Sequence, residues 1–410
     1  MIDFEKIRAT IRSSEREMVE LQKILSSIPA LSPENGGDGE EKKCRALEKW
    51  LLKNGFSDLS HYDAKDERVS SGIRPNLIAT ISGKKDDFAI WVMAHLDVVP
   101  PGNRELWESD PWTVRETADG RLIARGVEDN QQGLVSAVFA SLALLKNKTI
   151  PERTVHLLFM ADEECGSEFG VKFLLKEHRD LFKKDDVIII PDGGDPKGET
   201  IEIAEKGILW LRVKTTGAQA HGSMPNRGKN AHLAAATLAL KLNDLENVFC
   251  ERDDLFFPPY STFQPTKHES NVDGVNIIPG NDVFYMDCRV LPRYSLSEVR
   301  KKIDERVLEV CQIYGVKIEV EEIQHEQSPA TKSDSRVVRA LSRAIKNAHA
   351  QDSRCVGIGG GTVGAHFRAI GIDAAIWSTL DEMCHQPNEY CKIENMIRDA
   401  ETLAMLFLQE

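Results

Sequence analysis

The chain has 410 residues, with 65 Asp and Glu against 52 Lys and Arg, a formal net charge of −13. A domain usually takes roughly 100–200 residues, so two or three domains are expected. Apolar residues make up 41% of the chain and run along its whole length, which excludes a disordered protein. The acidic balance speaks against nucleic acid and anionic membranes as partners, because both need basic patches.

No stretch reaches the ~18–20 apolar residues of a membrane-spanning helix. Met1–Lys6 mixes charges and lacks the apolar core of a signal peptide. The cytoplasm is the expected compartment, and the scattered cysteines, with no Cys-x-x-Cys pair, are expected to be reduced.

In chain order, Ile7, Ile11, Met18, Leu21, Leu25 and Ile28 fall at helical spacing and predict a helix over 3–28. A turn-rich loop at 29–39 leads to a second helix at 40–54, closed by Gly55. Strands are predicted at 76–82 and 88–94. The second is continuously apolar, Phe88-Ala89-Ile90-Trp91-Val92-Met93-Ala94, as a strand buried on both faces should be. A helix at 133–146 and strands at 154–160 and 187–191 follow. Strands alternating with helices predict an α/β domain with a mostly parallel sheet.

The pattern changes after about residue 207. Residues 208–216 alternate, with Leu209, Leu211 and Val213 against Trp210, Arg212 and Lys214. A helix at 231–245, strands at 263–267 and 283–290, a helix at 295–314 opened by the Ser295-x-x-Glu298 capping box, and a strand at 316–320 complete a β-α-β-β-α-β order. That order predicts a ferredoxin-like α+β sandwich. From Ser333 the α/β character returns: a helix to His349, a Gly-rich loop at 357–364, a strand at 374–378 and a last helix at 393–408. The chain is therefore read as a split catalytic domain, 1–207 and 326–410, with an inserted domain at 208–325.

Five polar clusters sit where strands end or helices begin: His95-Leu96-Asp97, Glu128-Asp129 before the helix at 133, Asp162-Glu163-Glu164, Asp192 and His385. Each alone fits an ordinary polar loop or a helix-capping acid. Together they can share the carboxyl edge of one sheet, where open α/β folds bind ligands. Imidazole and carboxylate donors in that mixture suit zinc, with cobalt or manganese as alternatives. A shared carboxylate would serve a co-catalytic pair of ions.

The chain resembles the di-zinc aminoacylase/carboxypeptidase G-type metallopeptidases, which include acetylornithine deacetylase, succinyl-diaminopimelate desuccinylase and several dipeptidases. The carrying motifs are Met93-Ala94-His95-Leu96-Asp97, Arg125-Gly126-Val127-Glu128-Asp129, Ala161-Asp162-Glu163-Glu164-Cys165-Gly166, Pro191-Asp192-Gly193, Ala220-His221-Gly222-Ser223-Met224-Pro225 and His385. They run in order over essentially the whole chain. The resemblance implies that His95, Asp129 and Asp192 hold one ion, and that Asp129, Glu164 and His385 hold the other. It further implies that Asp97 supports His95 and that Glu163 is the general base. Which of Asp162, Glu163 and Glu164 is base and which is ligand rests on the resemblance alone. His221 would stabilise the oxyanion, often in a partner's site. Asn276, Arg289, Gly361 and Thr362 would hold a substrate carboxylate. The implied enzyme removes the acyl group of an N-acyl amino acid or diamino acid. A dipeptidase or carboxypeptidase of the same family is the alternative, and a non-catalytic binding protein disagrees with so full a set of ligands. A homodimer through the inserted domain is also expected. Asn130-Gln131-Gln132-Gly133 departs from the family, where many relatives carry a Lys before the Gly.

Overall fold

The computed structural model describes residues 4–409. The chain divides into two compact units. One runs from the first described residues to Ile203 and continues through Thr331–Cys355 and from His366 onward. The other comprises Ala204–Ala330 and Val356–Ala365.

The larger unit is built on an eight-stranded sheet. Its strands lie in the order Leu59–His61, Leu77–Ile81, Arg153–Met160, Lys85–His95, Val187–Asp195, Ala374–Thr379, Thr200–Glu205 and Arg354–Ile358. The four central strands, Arg153–Met160 through Ala374–Thr379, run parallel to one another. Antiparallel strands flank them: Leu77–Ile81 beside Arg153–Met160, Leu59–His61 beyond it, and Thr200–Glu205 beside Ala374–Thr379. The sheet is thus mixed, whereas the sequence led us to expect a mostly parallel one. A parallel centre must be buried on both faces and reads as unbroken apolar runs, while short flanking strands carry no such signal. Ile90, Trp91, Val92, Met93 and Ala94 are all buried.

Helices Gln131–Lys146 and Ile393–Phe407 pack on each other and on this sheet. The helix expected over 3–28 starts at a residue outside the described range. Its described part is two helices, Phe4–Ser13 and Glu15–Ser26. Ser14 leaves helical backbone and its hydroxyl donates to the Thr10 carbonyl at 2.9 Å, a local bond that competes with the helix. Of the expected Gly-rich loop at 357–364, residues 357 and 358 end the strand Arg354–Ile358, and the loop proper is Gly359–Val363.

The smaller unit has a four-stranded sheet in the order Thr262–His268, Asn281–Val290, Gly207–Thr216 and Lys317–Glu326, antiparallel throughout. Leu209, Leu211 and Val213 point into its core, and Trp210 points out. Helices Ala231–Asn243 and Leu296–Tyr314 pack on each other. The expected capping box is formed, with the Glu298 amide donating to Ser295 Oγ at 3.2 Å and the Ser295 amide to Glu298 Oε2 at 3.0 Å.

Candidate metal centre

The four parallel strands deliver polar groups to one edge. His95 is the last residue of Lys85–His95, Asp192 lies near the end of Val187–Asp195, and the turn Glu163–Cys165 follows Arg153–Met160. The loop after Ala374–Thr379 carries His385. Asp129 precedes helix Gln131–Lys146.

Asp129 stands between two imidazoles. His95 Nε2 is 2.9 Å from its Oδ1, and His385 Nε2 is 3.1 Å from its Oδ2. His95 Nε2 is also 3.7 Å from Asp192 Oδ1, and His385 Nε2 is 3.1 Å from Glu164 Oε2. The structure therefore brings together both expected donor sets, with Asp129 in each. Glu163 lies in the same cluster, with a carboxylate oxygen within 4.8 Å of donor atoms on His95 and Asp192. No hydrogen bond holds the Glu163 carboxylate among the described residues.

Asp97 meets His95 chiefly through its main chain. The His95 Nδ1–H donates to the Asp97 main-chain carbonyl at 2.9 Å, while the nearer carboxylate oxygen is 3.4 Å away. That bond leaves Nε2 to face a cation. The Asp97 carboxylate accepts the amides of Glu163 at 3.1 Å and Glu164 at 3.0 Å, and so holds the acidic turn. Asp162 enters the turn at φ 66°, left-handed backbone that costs a non-glycine residue of order 1 kcal/mol or more. The Phe169 amide (3.1 Å) and Arg74 (3.2 Å) fix its carboxylate there.

Three further side chains support the centre. Glu128 is buried, and its carboxylate accepts the amides of Asp381 at 2.8 Å and Met383 at 2.5 Å, tethering the loop that bears His385. Glu389 is fully buried and accepts the amides of Gly126 (3.0 Å), Glu128 (3.0 Å) and Asp129 (3.1 Å), with Arg125 as its ion-pair partner. Asn130 donates to the Pro191 carbonyl at 2.8 Å and to Asp192 Oδ1 at 2.7 Å. The adjacent acids at 128 and 129 were the one sequence hint of this support. Nothing around Glu389 marked it.

Charge is unbalanced here: five carboxylates (Asp97, Asp129, Glu163, Glu164, Asp192) face two imidazoles. Burial pushes Glu163 well above the ordinary carboxylate range, and Asp192 adds to this. Burial, with Asp129 adding, lifts Glu164 to about 7 and raises Asp192. Burial also works against Asp129, yet His385 and His95 hold it below the ordinary range. Hydrogen bonds to Asp129 and Glu164 lift His385 to about 10. Crowded carboxylates with two correctly turned imidazoles are the donor set of divalent cations, so these residues fit a metal pair.

The remaining expected residues lie in the smaller unit. His221 and Asn276 are neighbours, because the short strands Ala220–His221 and Ile277–Ile278 pair and the Gly222 amide donates to the Asn276 carbonyl at 2.7 Å. Both side chains are exposed. His221 Nδ1 is 2.8 Å from Ser223 Oγ. Arg289 does not present a free fork: it donates to Asp287 at 2.7 and 3.1 Å and to the Gly359 carbonyl at 2.9 Å. The Thr362 hydroxyl donates to Glu205. A Cβ at Gly361 would come 3.3 Å from Ile208 Cδ1.

The fold and this donor set define a metal-dependent hydrolase. The pattern of peptidase family M20/M25/M40 matches residues 91–409, and the chain belongs to that family. It is 38% identical to an uncharacterised metallohydrolase of Methanococcus maripaludis, over 94% of this chain and 97% of the relative. It is 28% identical to the succinyl-diaminopimelate desuccinylase of Nautilia profundicola, over 91% and 93%. Its fold is similar to that of a dinuclear metal-binding M20 peptidase from Bacillus subtilis (TM-score 0.66, 15% identity, 97% and 98% covered).

Proposed function

We propose that the chain is a two-metal amidohydrolase that removes the acyl group from an N-acyl amino acid or diamino acid. The observation that carries this is Asp129, with one oxygen on each of two imidazoles and further carboxylates beyond. In this reading His95, Asp129 and Asp192 hold one ion, and Asp129, Glu164 and His385 the other, zinc being the first choice for imidazole and carboxylate donors. The bound pair supplies Lewis-acid polarisation of the amide carbonyl and lowers the pKa of water. Glu163, whose carboxylate is raised by burial and held by no hydrogen bond, takes the proton from the attacking water and returns it to the leaving amine nitrogen. Asp97 keeps His95 and the acidic turn in place. His221 donates to the developing oxyanion, supplied by the partner in a homodimer.

Asn276, Arg289, Gly361 and Thr362 are the proposed substrate contacts. Because Asp287 already occupies the Arg289 fork, a substrate carboxylate would have to displace it. The strand order of the smaller unit supports a ferredoxin-like sandwich inserted at 208–325 between catalytic segments 1–207 and 326–410. The cytoplasm remains the proposed compartment; no helix among the described residues is long and apolar enough to cross a membrane.

Acyl substrates are favoured by likeness to a desuccinylase along more than nine-tenths of both chains. The second reading, hydrolysis of free dipeptides, is favoured by structural similarity to a peptidase. The test is a panel of N-acetyl, N-succinyl and free dipeptide substrates with the zinc-loaded protein, ranked by kcat/KM. Glu163→Gln should keep its metals and lose about 10²–10⁴-fold in turnover. Near-wild-type turnover would reject Glu163 as the base.

A further inference from the structure

The smaller unit contains a second constellation of metal donors, made of its own residues alone. His232 is the second residue of helix Ala231–Asn243, His268 ends strand Thr262–His268, and Asp282 is the second residue of strand Asn281–Val290. The two strands pair, with His268 opposite Phe284, and the helix packs on both. Three elements thus converge on one carboxylate. His232 Nδ1 is 2.8 Å from Asp282 Oδ2, and His268 Nε2 is 3.0 Å from Asp282 Oδ1.

The Asp282 side chain is 0% exposed, while the imidazoles are 56% and 46% exposed. Among the described residues no Lys or Arg pairs with Asp282. Its only other partner is Asn271, whose Nδ2 donates to Oδ2 at 2.8 Å. A buried carboxylate compensated only by two imidazoles and an amide is an expensive arrangement to keep for stability alone. The same pattern, one carboxylate with each oxygen on a separate imidazole, is built around Asp129 at 2.9 and 3.1 Å. The cluster also lines an open groove of about 220 Å³ whose other wall includes Ala235, Ala239 and Phe284, so a hydrated ion can reach it.

We propose that His232, His268 and Asp282 form a third divalent-metal site, placed in the smaller unit and separate from the hydrolytic centre. The three donor atoms lie within 4.8 Å of one another. An ion about 2.0–2.2 Å from each needs them somewhat closer, which rotation of two half-exposed rings can supply. Two imidazole nitrogens and one carboxylate oxygen select a transition ion, zinc first, with copper(II) and nickel(II) as competitors. They disfavour calcium and magnesium, which prefer all-oxygen sets. The fourth position opens to the groove. Asn271 orients the carboxylate, and the ion would tie helix Ala231–Asn243 to the two strands.

The test uses the full-length protein, stripped with a chelator and reloaded with zinc or cobalt(II). Metal content after equilibrium dialysis and the visible cobalt spectrum are compared between wild type and His232→Ala/His268→Ala. The wild type should hold one equivalent more than the double variant and show an additional cobalt band, and both should hydrolyse substrate at the same rate. Asn271→Ala should weaken the additional equivalent by about 10–100-fold. Equal metal content and identical spectra would overturn the proposal. Should the double variant not fold, zinc-soaked wild-type crystals decide: an anomalous peak among the three side chains supports the site, and its absence there rejects it.

Discussion

Glu128 shows how a side chain without a place in either donor set can decide where a ligand stands. Its two oxygens hold the amides of Asp381 and Met383, more than 250 residues away along the chain, and so set the loop that presents His385. Burial lifts its carboxyl to about 7, a cost accepted for those two bonds. In Glu128→Gln one of the amides would face an NH₂ donor, leaving a buried N–H unpaired. We expect affinity for the ion proposed at His385 to fall by about 10–100-fold, read by competition with a chromophoric chelator. Unchanged affinity would mean that the loop is held by other contacts. The contrast with His95, Asp129 and Asp192 explains what the sequence could reveal. Those three sit at strand ends or a helix start, places that apolar runs mark clearly. Glu128 and Glu389 act through backbone amides brought near by tertiary folding, and beyond the adjacency of the acids at 128 and 129 one-dimensional spacing carries no trace of that.

At the scale of elements, the close approach of helix Gln131–Lys146 to strand Val187–Asp195 sets the spacing of the centre. A Cβ on Gly133 would lie 2.5 Å from both the Cγ and the carbonyl oxygen of Pro191, so only glycine permits this approach. On one side of that contact Asn130 bonds Pro191 and Asp192. On the other, Gln132 Nε2 donates to the Thr379 carbonyl at 2.7 Å. The Asn130-Gln131-Gln132-Gly133 segment thus works as a spacer. Gly133→Ala should push the helix away, destabilise the protein by roughly 1–3 kcal/mol and weaken metal binding together with it. Thermal unfolding and metal titration on the same samples would show whether the two losses travel together; a destabilised variant with wild-type affinity would separate the spacer from the site. The helix itself was legible because Leu134, Val135, Val138, Phe139, Leu142, Leu144 and Leu145 make that stretch densely apolar. The flanking strands were less so: Leu59–His61 has three residues and a half-buried pattern, too short for a period to appear.

For the whole molecule the governing quantity is charge. The chain carries a formal −13, and five of its carboxylates are gathered at one sheet edge against two imidazoles. Burial and mutual repulsion raise Glu163, Glu164 and Asp192, so the metal-free fold works against its own centre. Ions that bind the folded form and ignore the unfolded chain stabilise it by RT ln(1 + [L]/Kd), about 2.7 kcal/mol per site at a hundredfold excess over Kd. Chelation should therefore lower the unfolding temperature by several degrees, and zinc should restore it where calcium does not. The His232→Ala/His268→Ala variant separates the two sources of this effect. It should retain the larger part of the shift if the hydrolytic centre dominates, because that centre relieves more buried charge than a single Asp282. Scanning calorimetry of wild type and variant, with and without chelator, measures both contributions. Superimposable traces in all four conditions would show that the carboxylates at the sheet edge do not depend on metal for their place in the fold.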